Sequence, residues 1–225
     1  MFSANNLFLG GCVALSLLTK QSLSQPQKAV ATFGGDGVDG SVVIADGRMS
    51  IVLEVDNFHN IPGGESCFSG GIFYHFHEFW GYYDINDRFG SYCGSSYTGG
   101  HWDPWLGCGS ATGNDYCQTQ GGCAVGSPVL GESHDGTYQC SNMADTNLYT
   151  CEVGDLSGIF GALDFEETDF GLEGGITVSE FFLPPPSYLQ YRSIVFHCND
   201  GTRAFCAPFV LNDNDNHYSQ PVKQS

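Results

Sequence analysis

The chain has 225 residues, a formal net charge of −18, 31 glycines and 14 % aromatic residues. So strong a negative field repels nucleic acid and anionic membrane surfaces, so neither is expected as a partner. No EF-hand loop accompanies the acidity to suggest calcium. The length suits one all-β domain, or one domain with a long insertion. Abundant glycine and few helix-forming runs point to many short antiparallel strands joined by tight turns.

Residues 1–24 read as a secretory signal. The apolar stretch from Leu7 to Leu18 is too short to span a bilayer comfortably, and Ser22-Leu23-Ser24 offers small residues at the cleavage positions. No Lys or Arg precedes the apolar run, and nothing later resembles a transmembrane helix. Removing the signal takes Cys12 with it and leaves nine of the ten cysteines. That many in a secreted chain imply disulfides formed in an oxidising compartment. Nine is odd, so at least one thiol is free or bridges to another molecule, and a disulfide-linked partner enters the expectations. The sequence has no Asn-x-Ser/Thr sequon.

The domain proper is expected over residues 25–211. Lys28 to Phe33 alternates and is rich in β-formers, Gly34-Gly35-Asp36-Gly37 is a turn, and Ser41 to Ala45 returns as a second strand. Asp46-Gly47 turns again and Met49 to Val55 alternates as a third, which makes an antiparallel meander. Asn60-Ile61-Pro62-Gly63-Gly64 closes it and leads to Tyr74-His75-Phe76-His77-Glu78-Phe79. Side chains alternate faces along a strand, so Tyr74 and Phe76 suit the core while His75 and His77 share the other face. Two neutral imidazoles so spaced on a stiff backbone can chelate one ion, and copper or zinc suits imidazole best. On the pair alone, a strand with two surface histidines reads equally well.

Residues 102–151 form an irregular insertion carrying Cys108, Cys117, Cys123, Cys140 and Cys151. A structureless loop of that length requires staples or a function, and the cysteines supply staples. Order resumes at Glu152-Val153-Gly154-Asp155-Leu156-Ser157-Gly158. Strands are expected over Ile176 to Phe182, Tyr191 to His197 and Ala204 to Leu211, with Pro184-Pro185-Pro186 ending the first of these and Asp200-Gly201 turning before the last. Residues 212–225 read as a polar, disordered tail.

Six segments, in order, resemble the copper/zinc superoxide dismutase family over roughly residues 28 to 211. Gly35-Asp36-Gly37 looks like that family's first hairpin turn, and His75-Phe76-His77-Glu78-Phe79 like its copper strand. Gly100-His101-Trp102-Asp103-Pro104 resembles the segment with its metal-bridging histidine, and Val153-Gly154-Asp155-Leu156 matches its Val-Gly-Asp-Leu motif. Ser193-Ile194-Val195-Phe196-His197 resembles the strand ending in the last copper histidine. Gly201-Thr202-Arg203-Ala204-Phe205-Cys206 resembles the segment with the active-site arginine and disulfide cysteine. The resemblance implies a Greek-key, immunoglobulin-like β-barrel or sandwich of about eight antiparallel strands. It implies copper held by His75, His77, His101 and His197, Arg203 guiding superoxide, and a Cys93–Cys206 disulfide. It also implies that superoxide reduces Cu(II) and leaves as dioxygen, and that a second superoxide reoxidises Cu(I) and leaves as hydrogen peroxide. The counterpart of His101 releases copper in the reduced state and carries a proton. Partners for Cys67, Cys198 and the cysteines of the insertion stay open.

The departures narrow the resemblance. Glu152 stands where the last zinc histidine of the family would be, and only His134 lies between His101 and Glu152, so zinc is not expected. The short stretch from His197 to Arg203 leaves no room for the family's long electrostatic loop. Both features are similar to the copper-only superoxide dismutases and related copper-only repeat proteins, which are extracellular. There a glutamate at the position of Glu152 bonds the histidine that zinc would otherwise orient, and Asp155 would be structural or part of that network. The expected function is a secreted copper-only superoxide dismutase with one copper per domain. The alternative is an extracellular copper-binding or buffering protein on the same scaffold, and a drifted interaction module is a third. His59, His134 and His217 are expected to be ordinary loop, insertion and tail histidines. Trp80, Trp102 and Trp105 are expected to pack around the site.

Overall fold

A computed structural model describes residues 28–35, 37–81, 89–115, 117, 138, 140, 151–179 and 183–212. The expected signal segment, Cys12, Cys123, His134, His217 and residues 213–225 lie outside them.

The described chain is nearly all β. Strands β1 (Lys28–Phe33), β2 (Val38–Ala45) and β3 (Arg48–Val55) form the antiparallel meander. The turn between β2 and β3 places Asp46 and Gly47 at φ 51° and 70°, the left-handed pair that matches the twist of a two-residue hairpin. The chain then crosses to a second sheet as β4 (Phe73–His77) and returns as β5 (Phe165–Thr168) and β6 (Gly171–Ser179). It crosses again as β7 (Ser193–His197) and β8 (Arg203–Pro208), and ends as β9 (Val210–Asn212). The sheets run β5-β6-β3-β2-β1-β9 and β4-β7-β8, with β3 pairing to β6 across the intervening excursion in Greek-key fashion.

The two sheets close on one apolar core because each strand sends every second side chain inward. Ala29, Ala31 and Phe33 of β1, Ile44 of β2 and Met49, Ile51, Leu53 and Val55 of β3 are buried. They meet Tyr74 and Phe76 of β4, Ile194 and Phe196 of β7, and Phe205 of β8. Phe33 sits edge-on to both Phe196 and Phe205, with centroids 5.7 and 5.5 Å away.

β2 begins at Val38 and β7 at Ser193, not at the expected Ser41 and Tyr191, and three other elements differ further from their expected form. β6 begins at Gly171, well before Ile176. Its glycine-rich first half reads as loop from composition, but pairing on both sides, with β3 and β5, supplies the ladder that holds it extended. β5 is an addition to the expected strands; it lies at a sheet edge and lacks a strong period-two pattern. The expected last strand divides at Phe209, which is buried and packs edge-on to Phe76. Pro208 ends β8, and β9 passes to the six-stranded sheet beside β1, running on through Asn212.

The excess negative charge is visible on the outer face of the larger sheet. Asp39, Glu54, Glu173 and Glu166 stand directly opposite one another across β2, β3, β6 and β5. All four are exposed.

The three-stranded sheet has a second covered face. Tyr74, Phe76, Ile194 and Phe196 point to the core, so His75, His77 and Val195 point away from it. Residues 89–115 and 151–155 fold over that outer face. Cys93 and Cys206 form a disulfide and pack with Val195 and Trp80. Cys67–Cys198, Cys108–Cys117 and Cys140–Cys151 are also bridged, so the eight described cysteines make four disulfides. Such bonds form in an oxidising environment. None of these eight offers a free thiol, and the other two cysteines, Cys12 and Cys123, lie outside the described residues. Among the described residues no helix is long and apolar enough to cross a membrane.

Candidate metal centre

His75 and His77 project from the outer face of β4 because the alternation that buries Tyr74 and Phe76 leaves them no other side. His197 ends β7 beside them. A bulge between Phe196 and His197 sets His197 opposite Arg203 of β8, which brings the guanidinium to the same face. His101 arrives from the covering loop, bridged through the backbone to His77.

The free edge of β4 builds the remaining wall. Phe76 N donates to Gly154 O at 2.9 Å, Trp102 N donates to Phe76 O at 2.9 Å, and Gly154 N donates to Trp102 O at 2.8 Å. A Cβ on Gly154 would stand 2.4 Å from Phe76 O, so only glycine permits this three-way junction. The junction carries Glu152 and Asp155 to the histidines. Asp155 then caps the short helix α2 (Leu156–Phe160), accepting from Gly158 N at 2.9 Å.

Ring nitrogens of His75, His77, His101 and His197 all lie within 4.8 Å of one another. Hydrogen bonds decide which nitrogen each ring presents. His77 Nδ1 faces Gly99 O at 3.0 Å and His197 Nδ1 faces Gly201 O at 3.2 Å. A carbonyl only accepts, so both rings carry their proton on Nδ1 and direct an Nε2 lone pair inward. Those two Nε2 atoms are 3.3 Å apart. His101 Nδ1 lies 2.5 Å from Glu152 Oε2, which also frees its Nε2. His75 is turned the other way: Nε2 faces Asp155 Oδ1 at 3.4 Å, and Nδ1 is buried with no partner.

Burial sets the charge of the rings. It lowers the His75 pKa to about 4 against the opposing pull of Asp155, and that of His197 to about 3. His77, wholly buried, is pushed well below the ordinary histidine value by the same cause, reinforced by His101 and Arg203. Neutral imidazole is the ligating form. Burial raises the Glu152 carboxyl against the lowering effect of its bond to His101. For Asp155 burial would also raise the pKa, but hydrogen bonds from His75 and Tyr138 overcome it and bring it to about 2.

Arg203 is fastened rather than mobile. Nη1 donates to Cys93 O at 2.6 Å and to Thr98 Oγ1, and Nη2 donates to Gly99 O at 2.9 Å. The Cys93–Cys206 bridge ties that same segment, including the short helix α1 (Ser95–Thr98), to the strand bearing Arg203. His59, expected to be an ordinary loop histidine, is not among the converging rings.

Several contributors carry little or no sequence signal. Asp103 is buried, and its carboxylate accepts from Gly107 N at 2.8 Å, Cys108 N at 2.7 Å and Thr112 Oγ1 at 3.2 Å. It thereby folds the start of the insertion back on His101. An aspartate just before a loop could have suggested such a cap. Arg192 donates from Nη1 to Glu78 O and lies 4.6 Å over the Trp102 ring, locking the strand beyond His77 to the residue after His101. Tyr138 donates to Asp155 Oδ2 at 2.6 Å from the middle of the insertion, and no local pattern marks it.

No family model and no curated protein matches the sequence. Among solved structures, the chain is similar to a glutamate-to-alanine mutant of Candida albicans superoxide dismutase 5, with a TM-score of 0.47 and 22 % identity, covering 91 % of this chain and 100 % of that one. The Cu(II) form of Candida albicans superoxide dismutase 5 gives a TM-score of 0.45 at 22 % identity, covering 88 % and 99 %. A crystal structure of the clock protein EA4 gives 0.44 at 16 % identity, covering 84 % and 97 %.

Proposed function

We propose that the chain is a secreted copper-dependent superoxide dismutase working at a single copper site without zinc. The observation that carries the reading is the inward face of the four imidazoles. The Nδ1 protons of His77 and His197 are committed to carbonyls, so two lone pairs oppose each other across 3.3 Å with no proton between them. His75 Nδ1 adds a third unsatisfied buried nitrogen. Unpaired buried polar atoms are costly, and a soft, imidazole-seeking cation satisfies all of them at once.

The donor set favours one metal. His101 Nδ1, which would face a neighbouring ion, is engaged by Glu152, and Asp155 is engaged by His75, Tyr138 and Gly158. The cysteines beside Asp103 and Asp155 are in disulfides and have no thiolate to offer.

Copper, when bound, supplies a one-electron couple that oxidises one superoxide to dioxygen and reduces the next, which leaves with two protons as hydrogen peroxide. The chain supplies the rest. His75, His77, His101 and His197 would hold the ion through Nδ1 of the first and Nε2 of the others. Glu152 keeps a proton on His101 Nδ1 and so fixes the nitrogen that faces inward. Arg203, held rigid by three acceptors, attracts and orients a small anion at a centre that the global charge of −18 would otherwise disfavour. The side chains of His75 and His101 keep 11 % and 8 % of their surface exposed, which gives such an anion access. The signal-like residues 1–24 and the four disulfides support secretion.

Metal analysis of the copper-loaded mature protein, with superoxide decay followed by pulse radiolysis, tests the proposal. One copper per chain with rapid decay supports it. Copper without dismutation selects the carrier or buffer instead, and stoichiometric zinc beside copper overturns the single-metal assignment.

A further inference from the structure

We propose that Tyr138 is a positioning residue for the copper ligand His75, acting through Asp155; this deepens the dismutase reading and rests on it.

Asp155 has two carboxylate oxygens with separate duties. Oδ1 faces His75 Nε2 at 3.4 Å and accepts from Gly158 N at 2.9 Å. Oδ2 accepts from the Tyr138 hydroxyl at 2.6 Å, the shortest of the three contacts. His75 differs from the other imidazoles in offering Nδ1 inward, and among the described residues Asp155 is the side chain that faces its Nε2 on the outer side. If the carboxylate rotates, the ring loses the partner that sets both its tautomer and its tilt.

Tyr138 blocks that rotation. Its ring lies against Gly109, where an added Cβ would come within 2.8 Å of it, so the ring is backed by the first part of the insertion. The Cys140–Cys151 disulfide, two residues further on, ties the tyrosine's segment to the residue preceding Glu152. A hydroxyl donor thus sits where a second cation beside Asp155 would do the same work. It leaves the aspartate satisfied without a metal.

The test uses Y138F, D155N and the double variant of the full protein. Y138F removes one oxygen and keeps the ring over Gly109. Two readouts are independent of turnover: the ring-nitrogen NMR shifts of His75 in metal-free protein, and the Cu(II) hyperfine splitting after copper loading. Y138F is expected to shift both and to lower copper affinity on the order of tenfold, a loss typical of removing a partner outside the ligand set. In the D155N background the same substitution is expected to change neither. Equal effects in both backgrounds, or no effect of Y138F on the His75 nitrogens, overturns the proposal. The unsubstituted protein offers a check that needs no variant to fold: a slowly exchanging Tyr138 hydroxyl proton, absent from its spectrum if the bond to Asp155 does not exist. Failure to bind copper would sink the dismutase reading alone, because the metal-free nitrogen shifts still decide the role of Tyr138.

Discussion

His77 and Arg203 hydrogen-bond to one and the same atom, the carbonyl oxygen of Gly99, at 3.0 and 2.9 Å. The imidazole thereby keeps its proton on Nδ1, and the guanidinium is held at a set distance from the ring. The proposed metal ligand and the proposed anion guide are registered to each other through one peptide group.

Gly99→Ala should disturb both at once. Gly99 has φ +75°, and an added Cβ would stand 2.7 Å from Glu78 Oε2 and 2.9 Å from Phe79. A non-glycine residue at such a backbone angle costs more than about 1 kcal/mol, and the collision adds to that. Chemical denaturation should show the loss, and competition titration should show weaker copper binding than in the parent protein. An unchanged affinity would dissociate the carbonyl from the site.

Arg203→Ala should separate guidance from metal binding. Copper content should stay at the parental level, while the rate with superoxide falls by about tenfold or more and loses much of its dependence on ionic strength. Arg203→Lys should restore the charge but not the three tethers, and so recover only part of the rate. Pulse radiolysis at two salt concentrations reads both effects; parental rates in Arg203→Ala would remove Arg203 as the anion guide.

Glu152→Ala removes the acceptor that His101 Nδ1 meets among the described residues. Copper affinity should drop about 10- to 100-fold, with Glu152→Gln retaining more because its amide oxygen still accepts. Competition with a copper chelator measures the order of the three proteins.

Acid should destabilise the metal-free protein in a defined window. His75 and His197 have folded pKa values of about 4 and 3, below the ordinary 6.5, and His77 is lowered in the same sense. Below pH 6.5 the unfolded chain binds these protons and the folded chain does not, so stability is full above that pH and falls as pH approaches the folded values. Every tenfold weakening of a ring's proton affinity on folding removes at most about 1.4 kcal/mol across that window. Asp155, lowered from 3.8 to about 2, adds a further loss only below pH 3.8. Thermal melting of metal-free protein between pH 8 and 4 should show the decline; a flat profile would mean that the folded chain takes up protons as readily as the unfolded one.

The carboxylate row on the larger sheet should be a net cost. Glu54 stands between Asp39 and Glu173, and Glu166 extends the row. Like charges directly opposite destabilise a sheet by roughly 0.2–1 kcal/mol per pair. Glu54→Lys should therefore raise the melting temperature, and the gain should shrink with added salt. A gain indifferent to salt would point away from charge repulsion.

The strands that alternate strongly are legible in sequence because alternation is a local property. β1 matches its expected span, the Asp46-Gly47 turn sits where its chemistry places it, and Tyr74 and Phe76 face the core opposite His75 and His77. β5 and the first half of β6 are not legible, since pairing with neighbours rather than their own pattern holds them extended. The order of motifs likewise singles out the four histidines, Glu152, Asp155 and Arg203 without any geometry. Only the tertiary structure decided which nitrogen each ring turns inward. That choice depends on acceptors such as Glu152, 51 residues from its histidine, and on a second ring 120 residues from His77. Tyr138, Asp103 and the Gly99 carbonyl belong to the same class. Each acts through a contact that packing creates, and no spacing along the chain encodes the direction of a hydrogen bond across it.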